Sequence, residues 1–86
     1  MWWSNMPVTM LANRRWLVIS PSCYRLVRPG LAISLVFADT GWHLTDGKTT
    51  IAVPDAYTGA MMVHKSLNAL GPDEADFTLE HVTRHL

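Results

Sequence analysis

The sequence predicts an α+β domain, in which an antiparallel β-meander of four to five strands is followed by two α-helices packed on one sheet face. Short β-rich runs separated by turn residues fill the first half of the chain, and a long stretch with helical periodicity follows a capping residue. With 86 residues, 49% of them apolar, the chain suffices for one domain and is too apolar for disorder. We expect residues 14–86 to form this domain and residues 1–13 to be a flexible arm.

The first strands are predicted from apolar runs bounded by turn signals. Residues 14–20 are rich in β-branched and aromatic types. In the strand predicted over residues 23–28, Tyr24 and Leu26 point one way and Arg25 and Val27 the other. The turn dipeptide Pro29-Gly30 separates them from residues 31–38, the most apolar run of the chain. We expect that third run to be the central and most buried strand.

The Asp-Gly dipeptide at 46–47 predicts a two-residue hairpin, because these residues favour the positive φ angles of a type I′ turn. Such a turn sets Thr45 opposite Lys48 and thereby defines the register of both strands. In this register apolar and polar side chains separate onto different faces. The two sets are Trp42, Leu44, Ile51 and Val53 on one face and His43, Thr45, Lys48 and Thr50 on the other.

Two helices are predicted after the hairpin. Asp55 is expected to cap the first helix, and Gly71 is expected to end it. Thr78 is expected to cap a second, shorter helix, with Phe77 and Val82 placed for a hydrophobic staple. The predicted apolar stripes are Ala56, Ala60, Val63, Leu67 and Leu70 in the first helix and Leu79, Val82 and Leu86 in the second.

The charge pattern indicates an interaction surface. Charged residues make up only 16% of the chain, against about a quarter in a typical domain. The four arginines up to position 28 lie in the first half, and all acidic residues except Asp39 lie in the second. Opposite charges on two parts of a domain favour complementary association, and a shortage of charge favours burial of apolar surface in an interface. We therefore expect a non-enzymatic inhibitor or adaptor of the phage or mobile-element type, which covers a partner protein's surface and forms a homodimer.

The expected partner-binding residues belong to types that dominate the centres of protein interfaces. Trp, Tyr and Arg are the commonest such types, and methionine adapts to varied surfaces. Two adjacent methionines, residues 61–62, cannot both face the core of one helix, so we expect one of them to be exposed or covered. The expected contact residues are Trp16, Tyr24, Arg25, Arg28 and Met62. The competing interpretation assigns Trp16 and Tyr24 to the core and treats the arginines as ordinary exposed residues.

A nucleic-acid-binding module is the alternative function. Arg14, Arg15, Arg25 and Arg28 would contact phosphates, while aromatic side chains would stack on bases. The net charge of zero is unusual for this class, since nucleic-acid-binding domains are typically strongly basic.

Neither a catalytic constellation nor a metal-binding motif is recognised, so we expect no enzyme activity, metal or cofactor. His81 and His85 have the i, i+4 spacing of paired metal ligands, but zinc needs three or four ligands and no third one is identified. Cys23 lies among apolar strand residues, where an unreactive thiol is commoner than a nucleophile. A single cysteine indicates no disulfide and favours the cytoplasm, and the longest apolar run is too short to span a membrane.

Overall fold

A six-stranded antiparallel meander is the frame of the fold in the computed structural model, which describes residues 7–83. The strands lie side by side in chain order, and two helices pack on one face of the sheet. The predicted α+β class is confirmed, with six strands instead of four to five. The strands are β1 (Val8–Leu11), β2 (Arg14–Ser20), β3 (Cys23–Leu26), β4 (Ser34–Ala38), β5 (Gly41–Thr45) and β6 (Thr50–Val53).

Strand β1 lies within the segment that was expected to be a flexible arm. It pairs with β2 along its whole length. The two connecting residues, Ala12 and Asn13, have φ angles of 51° and 67°, as a type I′ turn requires. Alanine rarely adopts this left-handed conformation, so the sequence carries no usual signal for the turn. The rest of the expected arm, residues 1–6, lies outside the described residues.

Strands β3 and β4 are shorter than predicted. The expected runs 23–28 and 31–38 give way to an irregular connection around Gly30, whose φ angle is 83°. The connection is still hydrogen-bonded, since Leu26 N–H donates to Ile33 C=O at 2.9 Å. Ile33 is buried although it precedes β4, so this part of the chain still contributes to the core.

The β5–β6 hairpin has the predicted faces but a different register. Thr45 lies opposite Thr50 instead of Lys48, so the loop comprises the four residues 46–49. The Asp46 carboxylate accepts hydrogen bonds of 2.9 and 2.8 Å from two backbone N–H groups of this loop, which stabilises the longer connection. A shift of two residues keeps the strand side chains on their predicted faces, because side chains along a strand alternate with a period of two, whereas Lys48 moves into the loop.

Helix α1 (Ala56–Leu70) begins and ends where the sequence predicts. The Asp55 carboxylate accepts a hydrogen bond of 2.7 Å from Thr58 N–H and caps the first turn. At the other end Gly71 has a φ angle of 58°, and its N–H donates to Leu67 C=O. No helix within residues 7–83 combines the length and apolar character needed to cross a bilayer.

A 3₁₀ segment (Gly71–Asp76) leads from α1 to helix α2 (Leu79–Thr83). The expected staple residues Phe77 and Val82 are both buried. At the start of α2 the His81 imidazole approaches Thr78, whose N–H donates to His81 Nδ1 at 3.1 Å. Leu86, the last residue of the predicted apolar stripe, lies outside the described residues.

The core lies between the helices and one face of the sheet. Trp16, Leu35 and Leu44 have no exposed surface there. Gly59 allows α1 to approach closely, because a Cβ atom at this position would lie 2.7 Å from Leu35 Cδ2. Residues from the helical layer complete this core, namely Ala60, Val63, Leu67, Phe77, Leu79 and Val82.

Candidate interaction surface

The sheet face opposite the helices has no covering element among residues 7–83, and we call it the open face. Side chains of directly paired residues lie on the same face, so the strand register assigns each residue to one side. None of the open-face residues belongs to the buried core. The residues that the register places on the open face include Val8, Met10, Arg15, Leu17, Cys23, Arg25, Ser34, Val36, Ala38, His43, Thr45, Thr50 and Ala52.

Arg15 and Arg25 give the open face its charge. Both are exposed, and within residues 7–83 neither forms an ion pair or a side-chain hydrogen bond. None of the six strands contains an acidic residue. In the sheet layer, acidic residues occur only in two hairpin connections, as Asp39 and Asp46. The helical layer and its connections carry Asp55, Asp73, Glu74, Asp76 and Glu80.

Apolar side chains occupy much of the remaining open face. Val8 and Met10 at its β1 edge are 50% and 61% exposed. Leu17 and Val36 lie further in and are half-buried, and Val27 is exposed just beyond the end of β3. Contiguous apolar surface bordered by charge is typical of interaction sites.

A shallow depression of about 340 Å³ opens on this face across β4, β5 and β6. Val36, His43 and Thr45 line it, with Asp39 at one end. The Nδ1 atom of His43 is buried and has no hydrogen-bond partner within residues 7–83. A small concavity of this composition can receive a single anchoring side chain from a partner protein.

The expected contact residues do not form one surface. Trp16 lies in the core with no exposed area, so we leave it out of the interface. Tyr24 lies on the helix side of the sheet, where its ring stacks on Trp42 with centroids 5.6 Å apart and an interplanar angle of 6°. Arg25 lies on the open face, because consecutive strand residues point to opposite sides.

Arg28 and Arg14 are engaged on the helix side. Arg28 forms an ion pair with Glu74 in the 3₁₀ segment. Arg14 donates from Nε to His64 Nδ1 and from Nη2 to Asn68 Oδ1, each at 3.2 Å. Partial burial, and secondarily the nearby Arg28, lowers the pKa of the Arg14 guanidinium. Of the four arginines expected at a binding surface, two are therefore held by contacts within the chain.

Met62 is half-buried and packs against the core, and so does Met61. Neither side chain is fully exposed, and each keeps part of its surface in contact with the core. The unbranched, flexible side chain of methionine allows this from different positions around the helix.

An aromatic cluster on the helix side contains Phe37 and Trp42 in addition to Tyr24, which was expected as a contact residue. Phe37 is 45% exposed and packs edge-on against Trp42, with ring centroids 5.5 Å apart and an interplanar angle of 66°. The two residues are direct partners across the β4–β5 hairpin. The turn residues Asp39 and Thr40 between them were the available signal, since they place the flanking aromatic residues opposite each other.

Within residues 7–83, the side chains considered for a metal site or a catalytic cysteine are not brought together. No group of three or more His, Cys, Asp or Glu residues within 7–83 is arranged to hold a metal ion. His81 contacts Thr78 at the start of α2, and His85 lies outside the described residues. Cys23 and His43 share the open face, but Val36 lies between them in the register, which separates their strands by about 10 Å.

No known protein family, no curated protein and no solved structure matches this chain.

Proposed function

We propose that this chain is a small non-enzymatic protein-interaction module, an inhibitor or adaptor that acts in the cytoplasm by covering a partner protein's surface. The observation that carries the proposal is the open face, a whole side of a six-stranded sheet without a covering element in residues 7–83. Val8, Met10 and Val27 expose about half or more of their surface. Removing such apolar area from water contributes about 25 cal/mol per Å² to association, before the entropic cost of binding.

The charges of the open face favour a partner that carries carboxylates around an apolar patch. Arg25 lies opposite Leu17, two residues along β2 from Arg15, so the two arginines are diagonal neighbours on adjacent strands. Their guanidinium groups match the geometry of carboxylates and bind them bidentately. Two copies stacked through their open faces would oppose the same positive charges, so this face suits a different protein.

The substitution Arg25→Glu tests the proposal. The full-length chain and the variant are each used as bait in extracts of the source cells, and any captured protein is then purified and titrated against both. We expect the variant to bind at least about tenfold more weakly, equivalent to about 1.4 kcal/mol. Equal binding by both would reject the open face as the interface.

Lys65→Glu is the matched control. It makes the same change of charge at an exposed position of α1, on the other layer of the molecule. We expect it to bind the partner like the wild type. Both variants should retain the wild-type circular dichroism and melting temperature, because both positions are exposed.

The alternative function, nucleic-acid binding, would use the same basic face. Arg15 and Arg25 would be its phosphate contacts, since Arg14 and Arg28 are engaged on the helix side. None of the Trp, Tyr and Phe residues in the six strands lies on the open face, so base stacking there would depend on the His43 imidazole. Titration with single-stranded RNA and duplex DNA at about 50 and about 200 mM salt tests it. Binding that weakens with salt and is lost in Arg25→Glu would replace our proposal with this alternative.

A further inference from the structure

We propose that two copies of this chain pair through strand β1, so that their six-stranded sheets join into one continuous sheet. The inference concerns an edge of the sheet and does not depend on the function proposed for the open face. It follows from the backbone groups of β1 that have no partner within residues 7–83, from the composition of the strand and from its complementarity to itself.

The register of the first hairpin identifies the unpaired groups. Pro7 C=O accepts a hydrogen bond of 2.9 Å from Val18 N–H, and Leu11 borders the two-residue turn, where facing residues are hydrogen-bonded. The odd-numbered residues of this strand therefore direct their backbone groups toward β2. Alternate residues point the other way, so the N–H and C=O groups of Val8 and Met10 point outward from the sheet.

Within residues 7–83, the outer edge of strand β1 has few of the features that usually protect a sheet edge, since Pro7 before it directs its backbone toward β2. Natural edges are guarded by charged side chains, prolines or a covering element. β1 contains no charged residue, and the side chains of Val8 and Met10 are among the most exposed apolar groups within residues 7–83. Within residues 7–83, β1 is therefore an edge to which a further strand can be added.

A second copy fits this edge because β1 is complementary to itself. In an antiparallel pair centred on Thr9, Val8 lies opposite the second copy's Met10, and Met10 lies opposite the second copy's Val8. The outward groups of these residues then form four backbone hydrogen bonds. Apolar side chains face apolar side chains, and Thr9 faces its own symmetry mate, a pairing that is favourable across strands. The contact closes with two-fold symmetry and leaves no further β1 edge free.

The charges of the molecule are compatible with this dimer. The net charge of each chain is zero, so no long-range repulsion opposes the approach of two copies. A two-fold axis perpendicular to the sheet places both helical layers on one side and both open faces on the other. The dimer thereby doubles the open face while leaving Arg25 two strands away from the new contact.

Light scattering on the full-length chain tests the proposal, over concentrations from about 10 µM to about 1 mM. We expect a mass of twice 9.7 kDa at the upper end and dissociation on dilution. Met10→Pro removes an outward N–H without removing a bond to β2, so it should yield a folded monomer. A mass of 9.7 kDa at every concentration, or a folded Met10→Pro variant that remains dimeric, would overturn the proposal.

Met10→Lys is the substitution that tests the dimer if the Met10→Pro variant does not fold. It should raise the dissociation constant of the dimer at least about tenfold, because it places two like charges at the new contact. Ala52→Lys, the same charge at an exposed position of the opposite edge strand, should leave it unchanged. Hydrogen exchange adds a direct measurement, with the Val8 and Met10 amides slowed at high concentration. Exchange at these amides that does not depend on concentration would contradict the pairing.

Arg25→Glu separates this proposal from the proposed function. The variant should lose partner binding and keep the mass of the dimer. A chain that is monomeric at all concentrations while Arg25→Glu still abolishes partner binding would reject the β1 dimer alone.

Discussion

On the helix side of the sheet Trp16 and Leu35 have no exposed surface, whereas Leu17 and Val36, their neighbours in sequence, are only half-buried on the open face. The two residues of each pair are neighbours on one strand of the same sheet. Their difference in burial therefore comes from the helical layer that covers one face. Side-chain packing that stabilises this fold is concentrated on the helix side, while apolar residues of the open face remain available for binding.

Truncation of adjacent side chains on the two faces should give the largest difference in the free energy of unfolding. We expect Trp16→Ala to lower the free energy of unfolding by about 3–5 kcal/mol, because it removes a large buried side chain and leaves a cavity. Leu17→Ala should cost less than about 1.5 kcal/mol, since its side chain keeps part of its contact with water in the folded state. Urea unfolding of both variants measures the difference, and similar losses would show that the open face also carries stability.

A substitution at the close contact between α1 and the sheet should change the free energy of unfolding by a smaller amount. Gly59→Ala should destabilise the protein by about 1–2 kcal/mol, because overpacking outweighs the gain in helix propensity. Ala69→Gly, at an exposed position of the same helix, reports the propensity term alone and should cost up to about 1 kcal/mol. A stabilised Gly59→Ala variant in thermal unfolding would mean that the helix lies farther from Leu35 than described.

The smallest expected effect on stability concerns two carboxylates, Asp46 in the β5–β6 loop and Asp55 at the start of α1. The Thr49 backbone N–H chiefly lowers the pKa of Asp46, and the Thr58 N–H chiefly lowers the pKa of Asp55. Carboxylates with a lowered folded-state pKa stabilise the protein above their unfolded pKa of about 3.9. That contribution is lost as pH falls through the folded value.

The melting temperature should therefore fall below about pH 4, and the fall should be shallower in the double variant Asp46→Asn/Asp55→Asn. Asparagine can still accept the capping hydrogen bonds but does not titrate in this range. Melting curves of wild type and double variant between about pH 7 and about pH 2.5 make the comparison. Identical pH profiles would exclude these two carboxylates as a cause of acid sensitivity.

Two turns of the sheet show which features a local sequence pattern predicts and which it does not. The Asp46-Gly47 dipeptide correctly indicated a hairpin and its two faces, but the carboxylate of Asp46 organises a four-residue loop and moves the register by two. The connection at Ala12 and Asn13 has the geometry expected of an Asp-Gly or Asn-Gly turn without that sequence. Pairing with β2 holds the backbone there, so β1 was not predictable from its own residues.

The candidate surface was predictable in part. Alternation along β3 correctly separated Tyr24 from Arg25, yet both were expected to contact one partner. Alternation alone does not say which face of the sheet the helices cover. Trp16 is a core residue because it lies on the face that they cover. The aromatic contact of Phe37 with Trp42 likewise depends on the register of two strands.

By itself, the sequence determined the α+β class, the caps of α1 at Asp55 and Gly71, and the two faces of the last hairpin. These features depend on interactions between residues a few positions apart. Only the tertiary structure decided that Arg14 contacts His64, that Arg28 pairs with Glu74, and that no element within residues 7–83 covers one sheet face. Such contacts join residues about fifty positions apart in the chain. They form only when helix packing offsets the entropy of closing so long a loop, and no local pattern records that balance.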